Sequence, residues 1–208
     1  MSNFNDRLFY KKLKLIEAPH NILTTRVQDF DFKLYDAPQL SVEMIDIMLF
    51  HAGRGLSANQ LNLDARIFVM QKSSGDFLTA INPKIISKSE KTQIDTEGCL
   101  SYPNVFLEIS RPESVEVEYY DEHENKVTEF LNGIDARCFQ HELDHLNGIV
   151  YTSKVSGLKL QRAKARAAKK WKKQYYYSST TKNNYTINNS NIMGVHNGTG
   201  LKNRIRKI

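Results

Sequence analysis

The stretch Gly133-Ile134-Asp135-Ala136-Arg137-Cys138-Phe139-Gln140-His141-Glu142-Leu143-Asp144-His145-Leu146 decides how the rest of the chain is read. Ile134, Cys138, His141 and His145 recur at i, i+4, i+7 and i+11, the spacing of a single helical face. Within the stretch, His141 to His145 spell H-E-x-x-H. Residues four apart on a helix sit one turn above each other. Both imidazoles can then reach one metal ion, with Glu142 beside it as a base. The same five residues also arise by chance, with histidines that only pack or sit on a surface.

Upstream of this helix the signals are mostly those of strands. Arg66–Gln71 and Phe77–Ile86 are strand-like, and Ser114–Tyr120 with Lys126–Leu131 predicts a hairpin across the polar Asp121–Asn125. Residues 1–40 read as irregular, with Pro19 and Pro38. From Ser41 a helix is expected, capped by Ser41, with Val42, Ile45, Met48 and Leu49 on one face and a stop before Gly53-Arg54-Gly55. Strands followed by a core helix imply an α+β domain, with mixed or antiparallel strands packed around the helix that bears H-E-x-x-H.

Downstream the composition changes. Leu158–Gln174 predicts a basic C-terminal helix, with Leu160, Ala163, Ala167 and Trp171 on one stripe and Arg162, Arg166, Lys169 and Lys173 on another. Residues 176–208, rich in Asn, Ser, Thr and Lys, read as a flexible tail. The expected division is a catalytic domain over 1–153, a basic helix over 154–175 and a basic tail over 176–208. Of the 29 Lys and Arg, 14 lie from Lys154 onward, where no Asp or Glu occurs. The first 153 residues keep 15 of them against all 23 acidic residues, a net of −8. An acidic body with a basic arm points to an anionic partner for the arm.

At 208 residues and 40% hydrophobic, the chain is long enough for one domain with a sizeable core. Cys99 and Cys138 are too few for a disulfide framework and too far apart for a CxxC pair, so reduced thiols in the cytoplasm are expected. The charged start, Met1 to Glu17, does not read as a signal peptide, and no run approaches the roughly 18 apolar residues of a membrane span.

A catalytic metal site needs a third protein ligand and an open position for water. No acidic residue follows Asp144, so no downstream carboxylate supplies it. A third histidine in the longer H-E-x-x-H-x-x-G-x-x-H pattern would stand at position 151, which is Tyr151, and His196 lies in the tail. The search moves upstream, where a thiolate suits a first-row transition metal. Cys99 lies in Glu97-Gly98-Cys99-Leu100-Ser101; Cys138 shares the histidine face and is expected to line the site. A lone buried cysteine more often packs than binds.

Three segments together resemble the peptide deformylase family. Gly53-Arg54-Gly55-Leu56-Ser57-Ala58-Asn59-Gln60 is similar to G-φ-G-φ-A-A-x-Q, Glu97-Gly98-Cys99-Leu100-Ser101 is identical to E-G-C-L-S, and Gln140–His145 matches Q-H-E-x-D-H. The resemblance covers roughly residues 15–175. It implies a metal-binding hydrolase of protein biosynthesis that removes the formyl group of N-formylmethionyl peptides. Cys99, His141 and His145 would hold Fe²⁺, with Zn²⁺, Ni²⁺ or Co²⁺ as substitutes. Glu142 would be the general base and then the acid, and Gln60 and the Leu100 N–H would stabilise the oxyanion. Gly53, Arg54, Gly55 and Gly98 would run along the peptide, and Ile134 and Cys138 would line the methionine pocket. Arg111 would support Glu97 or Asp144 behind the metal. Arg54, Ser57 and Arg137 depart from the family pattern; both arginines are expected to reach the cleft rim or point into solvent.

Two other readings stay open on the residues alone. One is a metallopeptidase using the same helix; the other is a nucleic-acid-binding protein with a structural metal. Because deformylases act on chains leaving the ribosome, the basic arm suits docking on ribosomal RNA. A monomer without a membrane contact is expected.

Overall fold

Strand β2, Ile67–Gln71, explains the architecture. All but its last residue are buried, and the alternation sends them to two cores. Ile67 and Val69 pack with helix α1, Ala37–Phe50, through Leu40, Met44 and Met48. Phe68 and Met70 pack with helix α2, Gly133–Leu146, through Ala136, Phe139 and Leu143. In this computed structural model, which describes residues 13–170, one sheet is thus covered by a helix on each face at this strand.

That sheet has five strands in the order β1-β2-β3-β6-β7, all antiparallel: Gly55–Ser57, Ile67–Gln71, Phe77–Lys88, Ser114–Tyr120 and Lys126–Asn132. A separate two-stranded sheet pairs β4, Thr92–Cys99, with β5, Tyr102–Pro112. The α+β expectation and the predicted β6–β7 hairpin agree with this. Helix α3 follows over 157–170; its Leu160, Ala163 and Ala167 pack with Leu107 and Ile109 of β5 and with Tyr151. The described residues up to Ala168 form one compact unit. The tail over 176–208, and Trp171 and Lys173 of the predicted helix, lie outside the described residues. Among the described residues no helix is long and apolar enough to cross a membrane.

Two sequence expectations fail. Helix α1 begins four residues earlier than Ser41. Asp36 is its cap, accepting from the Gln39 N–H at 3.0 Å, and Pro38 occupies the first turn, where its missing N–H costs nothing. Ser41 is buried instead, its Oγ 2.6 Å from Thr79 Oγ1. The second failure is the β4–β5 hairpin, absent from the sequence reading. Val105, Leu107, Ile109 and Arg111 alternate inward along β5, but the polar, exposed β4 carries no apolar face to signal its partner.

Helix α2 is buried on nearly every side. Ala136, Phe139, Leu143 and Leu146 form its apolar stripe, with Phe139 edge-on to Phe68 at 4.9 Å between ring centres. The opposite side carries the polar residues of the site. The chain from Thr24 to Val27 closes the helix end: the Val27 N–H donates to the Leu146 carbonyl at 3.1 Å. Gly148 lies against this segment with φ 72°, where a Cβ would meet Thr24 O at 2.8 Å.

Candidate metal centre

One turn of α2 separates His141 from His145, and their ring centres lie 4.9 Å apart. Cys99 comes from the other sheet. The β4–β5 register shifts between Glu97 and Cys99, and the chain turns through Leu100 and Ser101 before pairing Cys99 with Tyr102. This bulged turn brings Cys99 Sγ to 3.2 Å from His145 Nε2. One ligand atom from each of Cys99, His141 and His145 lies within 4.8 Å of the others. The structure therefore brings together the three residues expected as ligands, and among the described residues no fourth His, Cys, Asp or Glu joins them.

The donor set fits a divalent first-row ion. His141 Nδ1 lies 3.0 Å from Glu97 Oε2. A carboxylate only accepts, so Nδ1 carries the hydrogen and Nε2 is the nitrogen that turns to an ion, giving up the proton it holds when the ion binds. Burial pushes the His145 pKa down, favouring the neutral form that can ligate. Burial would lower His141 too, but its hydrogen bonds to Cys99 and Glu97 raise it to about 10. A negative field thus converges where a cation would sit. His145 Nδ1 is buried without a hydrogen-bond partner.

Behind His141 lies an ionic cluster. Glu97 accepts from Arg111 Nε and Nη2, and Arg111 Nη1 reaches Asp144 Oδ2 at 2.7 Å. Lys154 Nζ meets the same Asp144 oxygen at 3.0 Å. Arg111 was expected to serve Glu97 or Asp144; it serves both. Burial opposes ionisation of Glu97, but its bonds to Arg111 and His141 outweigh that and hold its pKa at about 2. Arg137 overturns its expectation. It is 5% exposed and donates to Glu97 Oε1 at 2.7 Å, because it projects from the face of α2 that is covered by the β4–β5 hairpin. Arg54 does lie at the rim, half-exposed and 3.0 Å from Asp135.

Glu142 occupies a different setting. Burial raises its pKa to about 7, against the pull of His141 and of the Ser57 hydroxyl. Ser57 Oγ lies 3.0 Å from both Glu142 Oε2 and Gln60 Oε1. Gln60 Nε2 donates to Ser101 Oγ at 3.1 Å and faces Cys99 Sγ at 3.5 Å. The N-terminal segment ties this region together: Ile16 N–H donates to the Gln60 carbonyl and Ala18 N–H to the Ser101 carbonyl. A Cβ on Gly55 would meet Glu142 Cδ at 2.8 Å, so only glycine lets the β1 backbone pass the carboxylate.

These groups open into a cavity of about 1110 Å³ whose lining includes Gly53, Arg54, Gly55, Gly98, Ile134 and Cys138, expected along the substrate path, and Leu100, expected as an oxyanion donor. Burial beside Glu142 pushes the Cys138 thiol well above its usual pKa, as befits a lining residue. The sequence reading missed Ser57, Ser101 and Asn59, whose Nδ2 donates to the His145 carbonyl at 2.7 Å. Ser57 and Asn59 lie inside the glycine-rich segment beside Gln60, a proximity that would have flagged them.

The comparisons with known proteins converge. The family model for polypeptide deformylase matches residues 12–161. A peptide deformylase from Thermotoga neapolitana is 41% identical over 128 residues, covering 61% of this chain and 77% of that protein. One from Wolbachia of Brugia malayi is 38% identical over 171 residues, covering 76% and 95%. The crystal structure of a Synechococcus elongatus peptide deformylase in complex with actinonin superposes with a TM-score of 0.69 at 33% identity, covering 76% of this chain and 86% of that one.

Proposed function

This chain belongs to the peptide deformylase family, hydrolases that remove the N-terminal formyl group of new polypeptides, and we propose the residues that perform this reaction here. The metallopeptidase and structural-metal readings lapse with that membership. Cys99, His141 and His145 hold the catalytic metal, Fe²⁺ in preference, with Zn²⁺, Ni²⁺ or Co²⁺ able to replace it. A divalent ion bound there acidifies water and polarises a carbonyl oxygen. Glu142 removes a proton from the attacking water and passes it to the amide nitrogen as the formyl C–N bond breaks. Formate and a free α-amine leave.

The Gln60 amide and the Leu100 N–H face the charge that develops on the formyl oxygen; one such donor is worth about 3 kcal/mol in comparable sites. The substrate backbone lies along Gly53, Arg54, Gly55 and Gly98, with its methionine side chain against Ile134 and Cys138. Arg54, half-exposed at the cavity edge, touches the residues that follow methionine.

The observation that carries this reading is the meeting of one cysteine sulfur and two imidazoles within 4.8 Å, beside a buried carboxyl whose pKa is raised to about 7. Formate release from formyl-Met-Ala-Ser, measured with metal content, tests it. Activity that survives complete metal removal would refute it.

The ribosome is proposed as a second partner. Lys159, Arg162, Lys164 and Arg166 on α3 belong to the basic arm that has no acidic residue of its own. Ribosome binding should weaken as salt rises and vanish on truncation after Ser153; binding indifferent to salt would refute this. The protein is read as a cytoplasmic monomer.

A further inference from the structure

Arg137 is a buried cation that the reaction above does not use. It stands four residues before His141, on the same face of α2. Both side chains grip one carboxylate from opposite oxygens: Arg137 Nη1 lies 2.7 Å from Glu97 Oε1, and His141 Nδ1 lies 3.0 Å from Glu97 Oε2. The guanidinium is itself fixed by the strands. Its Nη1 donates to the Ile109 carbonyl at 3.0 Å and its Nη2 to the Gln93 carbonyl at 2.6 Å. Arg111 grips Glu97 as well, but from β5, and its link to α2 runs through Asp144, on the other side of His141 from Arg137.

We propose that Arg137 is a positioning residue for the metal centre: with His141 it brackets Glu97 from one helix face and so fixes the rotation of the His141 ring. A histidine ligand is oriented by what its second nitrogen meets, and losing such support typically weakens metal binding by roughly 10- to 100-fold. Without Arg137, Glu97 keeps the Arg111 fork and its bond to His141 but loses its direct tie to the turn of α2 before His141, so the carboxylate and the ring bonded to it are free to tilt. Two buried carbonyls also lose their donor, so some stability is lost in any case. The test must separate the two effects.

The inference rests on Cys99, His141 and His145 binding metal, and cobalt(II) titrated into the metal-free full chain is the probe. In Arg137→Met the cobalt dissociation constant should rise roughly 10- to 100-fold, and the absorption bands of the bound ion should shift. With saturating cobalt, KM for formyl-Met-Ala-Ser should match wild type, since Arg137 acts through Glu97. Thr79→Val provides the stability control: it breaks the buried Ser41–Thr79 pair far from Glu97, and should lower Tm while leaving cobalt affinity and spectrum unchanged. Should Arg137→Met not fold, Arg137→Gln keeps a donor for the strand carbonyls but brings no charge to Glu97; weaker cobalt binding there supports the proposal. Wild-type affinity and spectrum in the folded arginine variant would overturn it, as would a raised KM with unchanged affinity. A wild-type chain that takes up no cobalt would overturn the metal reading itself, a distinguishable result.

Discussion

Glu97 and Glu142 are both buried carboxyls beside His141, and their environments drive them apart. Glu97 is held at about 2 and Glu142 is raised to about 7. Burial penalises the charge of each, and is the largest single influence on each. The difference lies in the donors. Glu97 receives two nitrogens of Arg111, one of Arg137 and one of His141. Glu142 receives one hydroxyl, from Ser57, and faces the cavity. The fixed charge of Glu97 raises Glu142 further. The saturated carboxylate supports a ligand, whereas the undersupplied one can exchange a proton near neutral pH.

The largest effect should come from removing the exchangeable proton site. Glu142→Gln should bind metal normally and lose roughly 10²- to 10⁴-fold in kcat; wild-type turnover would end its assignment as base. Next comes Gly55→Ala, whose methyl would press on the Glu142 carboxyl. It should cost roughly tenfold or more in kcat/KM, the scale of a small misplacement of a reacting group, with metal content unchanged. Glu97→Gln should show the reverse pattern, weakening metal affinity roughly 10- to 100-fold with little effect on the KM of the loaded enzyme. Its pH signature also has a sign. A carboxyl held below its ordinary value of 4.5 adds stability that is present above that pH and is lost as pH falls toward 2. Thermal unfolding of the metal-free variant should therefore lose less between pH 5 and about 3 than that of the wild type.

The legibility of this pair in the sequence was uneven. Glu142 announced itself, because H-E-x-x-H is a local pattern whose helical spacing dictates geometry. The α2 boundaries and the β6–β7 hairpin were readable for the same reason: their periodicity is local. Glu97 was flagged only through the resemblance, since its donors come from β5 and from a helix 40 or more residues away, and no spacing encodes that pairing. The burial of Arg137 is illegible for the same reason. A charged residue on a helix looks solvent-bound until a strand pair covers that face, and the covering strand β4 is too polar to have been recognised. Ser41 shows the limit at the local scale: it is the serine nearest the apolar periodicity, but Asp36 with Pro38 carries the stronger start signal.

The smallest effect is the most informative about how Glu142 is poised. Ser57 Oγ has a single proton and two acceptors at 3.0 Å, Glu142 Oε2 and Gln60 Oε1. When Glu142 is ionised, the proton is best spent on the carboxylate, which is why this bond lowers the Glu142 pKa. When Glu142 is protonated, it can donate to Oγ and release the serine proton to Gln60, which also accepts from the Ser57 N–H at 3.0 Å. The bond to the ionised carboxylate is charge-assisted and the stronger, so the hydroxyl favours the basic form that the reaction needs. Ser57→Ala should reduce kcat/KM at pH 7 by about fivefold, the worth of about 1 kcal/mol of hydrogen bonding. It should also move the acidic limb of the pH profile to higher pH, because the ionised form loses its donor. A fall in rate without that movement would mean that the serine proton rests on Gln60 throughout. The burial of Glu142, opposed by the charges of His141 and Arg111 alone, would then set its proton affinity.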